Sequence, residues 1–108
     1  MPVMLVKYHP AAVAELRDLQ KRAAGEAAAM LHAVQQLQAN GIQLSYPHSS
    51  RVKGALRELR PRAGDSPWRG FYQRVGDSMV IAAIGPEAQH DRKGFEATIT
   101  RALQRLDH

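Results

Sequence analysis

Apolar positions recur along this chain with two different periods. Val3 to Tyr8 is apolar and β-prone except at Lys7, and Pro10 follows where a helix can begin, so the segment predicts a short strand. From Pro10 to about Ala24, Val13, Leu16, Leu19 and Ala23 recur every three or four residues, with Glu15, Arg17, Asp18, Lys21 and Arg22 between them. That spacing predicts an amphipathic helix, interrupted at Gly25. A second helical stripe, Ala27, Met30, Leu31, Val34 and Leu37, stops at Asn40-Gly41. Together the two stripes predict a helical hairpin.

Leu44 to Gly54 has no period and is rich in Ser, Pro and Gly, so it reads as a surface connection. Beyond it the segments are short: Ala55–Arg60, Trp68–Val75 and Met79–Ile84, separated by Pro61–Asp65 and by Gly76-Asp77. They predict a three-stranded antiparallel meander. Phe95, Ile99, Ala102, Leu103 and Leu106 share one face of a closing helix, with Arg101 and Arg105 on another. The expected order is β-α-α-β-β-β-α, an α+β fold with helices on one sheet face and the other face free. Alternation puts Glu58 with Arg60 and Arg69 with Phe71, and gives Trp68, Tyr72 and Arg74 the opposite parity. Which parity faces the core depends on register and stays open.

A chain of 108 residues is expected to make one domain spanning 1–108. With no cysteine, a disulfide scaffold and a thiolate metal site are excluded. His9, His32, His48, His90 and His108 show no ligand spacing, and no nucleotide-cradling glycine motif occurs, so no metal or cofactor is expected. The absence of a long apolar run or export signal leads to the expectation of a cytoplasmic protein without membrane partners. The net charge of +5 is confined: residues 51 to 74 carry Arg51, Lys53, Arg57, Arg60, Arg62, Arg69 and Arg74 against only Glu58 and Asp65. Arginine dominates, and its planar fork suits bidentate phosphate contact, so a polyanion is the expected partner.

The run Arg51 to Pro61, containing Lys53-Gly54-Ala55-Leu56-Arg57-Glu58-Leu59-Arg60, followed by Trp68-Arg69-Gly70-Phe71-Tyr72, resembles the HigB-like branch of the RelE/ParE toxin superfamily. Thr98-Ile99-Thr100-Arg101-Ala102 is similar to the register of that branch's last helix. The resemblance implies the RelE-like fold and the toxin of a type II toxin-antitoxin system. Such a toxin is a ribosome-associated mRNA endoribonuclease that inhibits translation, held by a cognate antitoxin, with a dimer or toxin-antitoxin hetero-oligomer as possible assemblies. A ParE-like gyrase poison, or an inactive member acting only by binding, is the alternative. Ile84 to Lys93 departs from the family's usual phenylalanine and lysine pair.

Metal-free RNA cleavage uses the ribose 2′-hydroxyl as nucleophile, so the protein must move protons and stabilise charge. On the resemblance, Arg60 and Arg69 are the main catalytic candidates, joined by His90 as proton carrier and Lys93 as charge stabiliser. Arg51, Lys53, Arg57, Arg62 and Arg74 are the RNA-binding candidates. Trp68, Phe71 and Tyr72 are candidate base-stacking rings, though core roles are commoner for such residues. Glu58 is expected to position Arg57 or Arg60 by an ion pair. All of this supposes one cationic furrow built from neighbouring strands.

Overall fold

The computed structural model describes residues 4–107, so Val3 of the predicted first strand lies outside them. The elements are β1 Leu5–Tyr8, α1 Pro10–Arg22, α2 Ala24–Asn40, β2 Ser49–Lys53, β3 Leu56–Leu59, β4 Trp68–Val75, β5 Ser78–Pro86 and α3 Arg92–Leu106. Pro10 opens α1, and the His9 ring caps it by accepting the Ala11 N–H at 3.1 Å. The break before α2 falls at Ala23, whose extended backbone (φ −154°, ψ 78°) resets the helix, and Gly25 lies inside α2. Asn40-Gly41 ends α2 as expected, with Gly41 at φ +56°.

The sheet has five strands in the order β1-β5-β4-β3-β2, with β1 parallel to β5 and the other pairs antiparallel. The meander therefore has four strands, the extra one being β2 inside the expected connection. Its one apolar residue is Val52, so it carries no hydrophobic period and is defined by pairing with β3. A further correction concerns the free face. The α1–α2 hairpin covers one side of the sheet, burying Leu19, Met30, Leu37, Leu59, Tyr72 and Ile81. On the opposite side α3 packs Phe95, Ile99 and Ala102 against Leu56, Phe71 and Ala83. At about 1.5–3 kcal/mol per buried large side chain, neither contact is expendable. The apolar stripe of α3 predicted a packed helix; only the sheet's parity decides which side it takes.

That parity is now fixed: Glu58, Arg69 and Phe71 face α3, whereas Arg57 and Tyr72 face the hairpin side. A bulge between Phe71 and Tyr72 leaves Ala82 without a partner and bends β5 under α3. There Gly85 passes so close to Thr98 that a Cβ on it would overlap the threonine side chain. Since β1 pairs only as far as Ile81, the outer edge of β5 beyond it is closed by side chains. Glu15 accepts the Ile84 N–H at 3.0 Å, and Arg105 donates to the Ala82 carbonyl at 2.8 Å.

Candidate active site

Where β3 and β4 leave the cover of α3, a cavity of about 270 Å³ opens between the sheet, the β3–β4 turn and the loop before α3. Glu58, Arg60, Gly64, Arg69, Glu87 and Gln89 are among its walls. Glu58 is the hub: its Oε2 accepts from Ser50 at 2.8 Å and from Arg60 Nη1 at 3.1 Å. Its Oε1 lies 3.4 Å from Arg69 Nε, an ion pair too poorly aligned for a hydrogen bond. Arg60 also donates to the Pro47 carbonyl at 2.9 Å, and its guanidinium stacks 4.9 Å from the Tyr46 ring centre.

Arg69 is almost fully buried, with 3% of its surface exposed. It donates to the carbonyls of Ser66 (2.6 Å), Trp68 (3.0 Å) and Gly64 (3.3 Å), and its Nη2 lies 3.9 Å from Glu87 Oε2. Burial pulls its pKa down and Arg60 adds to this, while Glu58 and Glu87 push it back up; arginine nevertheless stays charged. Glu87 is partly exposed and accepts from the Gln89 N–H at 3.1 Å. Two guanidinium groups thus meet two carboxylates, and the cavity is charge-compensated.

The turn beneath it is unusual. Arg62 (φ +54°), Ala63 (φ +55°) and Gly64 (φ +100°) are successive left-handed residues, a conformation costing roughly 1–2 kcal/mol per non-glycine residue. A Cβ on Gly64 would overlap the Arg60 guanidinium. Arg62 anchors the turn to α2, donating to both Glu26 oxygens at 2.8 and 2.9 Å, and Ser66 donates to Glu26 at 2.7 Å. The Ser66 hydrogen bond is the main cause holding the Glu26 carboxyl below its ordinary range; burial opposes it and Arg62 adds to it.

The nine predicted residues therefore do not form one furrow. Arg60 and Arg69 meet as expected, with Glu58 as their ion-pair partner. Arg62 is occupied by Glu26. Lys53 borders a separate cavity with Glu96, Ile99 and Thr100. Arg51, Arg57 and Arg74 lie on the hairpin side, because β2 pairs Arg51 with Arg57 and β4 sets Arg74 two residues beyond the Arg57 partner Tyr72. His90 lines a different cavity of about 360 Å³ with Glu15, Trp68, Asp91 and Arg101, and Lys93 is exposed on the first turn of α3. The loop before α3 walls both cavities, with Glu87 and Gln89 lining one and His90 and Asp91 the other. Phe71 and Tyr72 are core residues, 0% and 1% exposed, and Arg22 lies over the Trp68 ring at 5.2 Å. From the sequence, Glu87 or Asp91 was expected to orient His90; Glu87 instead lies by Arg69, and Gln89 was missed, its signal being the departure of this loop from the family pattern.

The five-stranded sheet, with the helical hairpin on one face and a single helix on the other, is a mixed α+β fold. The sequence matches the family described as phage-derived protein Gp49-like over residues 14–107, and the chain belongs to that family, a RelE-type toxin family. Among solved structures it is similar to a chain of the YoeB-YefM complex from Staphylococcus aureus, at 13% identity and a TM-score of 0.57. The match covers 75% of this chain and 93% of that one. No curated protein matches the sequence. The family match is coarser than the HigB-like branch expected from the sequence.

Proposed function

We propose that this protein is the toxin of a toxin-antitoxin pair and cleaves mRNA, with the Glu58, Arg60, Arg69 and Glu87 cavity as its reaction site. The observation carrying this reading is that both arginines singled out by the resemblance converge with two carboxylates at one opening. In this reading Glu87, the more exposed carboxylate, takes the proton from the ribose 2′-hydroxyl. The 2′ oxygen attacks phosphorus, the bond to the 5′ oxygen breaks, and the products are a 2′,3′-cyclic phosphate and a 5′-hydroxyl, whose proton comes from solvent. Arg60 turns from Glu58 towards the developing phosphorane charge, worth about 2.7–4 kcal/mol for one well-placed donor. Arg69 and Glu58 are positioning residues that hold Arg60 and Glu87. An acidic antitoxin segment would silence the site by covering it.

Charge compensation in this cavity favours a second reading, a toxin that acts by binding, on DNA gyrase or another target. The test is induction of the wild-type chain and of Arg60→Ala and Glu87→Gln variants. New mRNA ends that vanish in both variants while the purified variants stay folded support cleavage. DNA breaks without new mRNA ends support the binding reading.

A further inference from the structure

Three arginines of the basic segment lie on the other side of the sheet. Arg51, Arg57 and Arg74 take part in no ion pair among the described residues, whereas Arg60, Arg62, Arg69, Arg101 and Arg105 are all engaged by carboxylates. The three form a row across β2, β3 and β4. Arg51 stands directly opposite Arg57, an arrangement that is destabilising for like charges. Arg57 is fixed by donating from Nε to Ser49 Oγ at 2.9 Å, and Ser49 in turn meets the buried Tyr72 hydroxyl. Arg74 is braced by the Gly76 carbonyl at 3.0 Å. Arg57 and Arg74 line a cavity of about 340 Å³ together with the apolar Ile42, Leu44, Ala55 and Met79.

We infer that this pocket is a docking site for an acidic, leucine-type apolar segment of a partner protein, separate from the reaction cavity. Charge complementarity selects the occupant: three arginines without acidic partners demand carboxylates or phosphates. The apolar floor decides between them. Single-stranded RNA binds by stacking its bases on exposed rings, and the one ring among the pocket's lining residues, Tyr72, is 1% exposed with its hydroxyl engaged by Ser49. An aliphatic side chain fits the floor while its acidic neighbours reach the rim. Ile42, 67% exposed beside the opening, extends the apolar contact. Assigning the segment to the antitoxin rests on the toxin reading above; the docking chemistry does not.

The test is fluorescence anisotropy with three labelled probes: a synthetic peptide alternating glutamate and leucine blocks, the same peptide with glutamine for glutamate, and an oligouridylate of equal charge. The glutamate-leucine peptide should bind best. The exposed double variant Arg51→Glu/Arg74→Glu should weaken it by about tenfold or more, Ile42→Ser should weaken it less, and amide resonances of Ile42–Ser45 should shift on binding. Peptide binding by the reaction-site variant Arg60→Ala should match the parent, which separates this proposal from that of the reaction site. Absence of peptide binding, peptide binding indifferent to both docking-site variants, or displacement of the peptide by oligouridylate at these residues would overturn it.

Discussion

Gly64 and Gly85 are two of the places where a missing Cβ lets a neighbouring side chain come close. At Gly64 the left-handed turn leaves room for the Arg60 guanidinium, so Gly64→Ala should lower RNA cleavage by displacing Arg60, with a smaller loss of stability. The neighbouring Ala63 is exposed and left-handed without that reason. Ala63→Gly should therefore raise stability by about 1 kcal/mol in urea unfolding; an unchanged midpoint would show that the turn relaxes. Gly85→Ala would drive a methyl into Thr98 and should destabilise by about 1–3 kcal/mol. The loss should shrink when Thr98→Ala is combined with it, because the two changes share one contact; strict additivity would refute that contact. None of these roles is legible from glycine in a sequence, since each depends on what crosses it in space.

At the scale of elements, legibility followed the hydrophobic period. α1, α2, α3, β4 and β5 bury a regular set of apolar positions and were readable; β2 fully buries only Ser49, its one apolar residue Val52 is half-buried, and it was not. The side assumed by α3 escaped for a related reason, because a one-residue bulge in β5 moves Ala82 and Ala83 to the same face. The β5 edge also has consequences for pH. Burial raises the Glu15 pKa, but hydrogen bonds from Arg105 and the Ile84 N–H, with the charges of Arg105 and Arg101, outweigh it and leave the carboxyl below its ordinary value. A depressed folded pKa contributes stability that is full above the unfolded value and is lost as pH falls through the folded one. Glu26 acts in the same direction. Stability should thus decline on acidification below the ordinary glutamate range, and Glu15→Ala should remove about 2 kcal/mol at neutral pH and flatten that decline. An acid limb as steep in the variant as in the parent would sink this assignment.

Over the whole molecule, the confined arginine excess was legible, but its meaning was not. A charge count cannot tell Arg69, sunk among three carbonyls and two carboxylates, from Arg74, which no carboxylate among the described residues meets. Folding separates Arg60 and Arg69, compensated on the α3 face, from Arg51, Arg57 and Arg74, which form an uncompensated row on the hairpin face. The first is the proposed reaction site and the second the proposed docking site. High salt should accordingly weaken partner docking more than it perturbs the fold, since exposed charges are screened and buried pairs much less so.

Transcriptome-wide mapping of 5′-hydroxyl mRNA ends after induction tests the proposed chemistry most directly. The wild-type chain should generate such ends within coding regions, and Arg60→Ala, folded to the same stability, should not. Growth arrest without new ends, or ends that persist in the Arg60 variant, would contradict it.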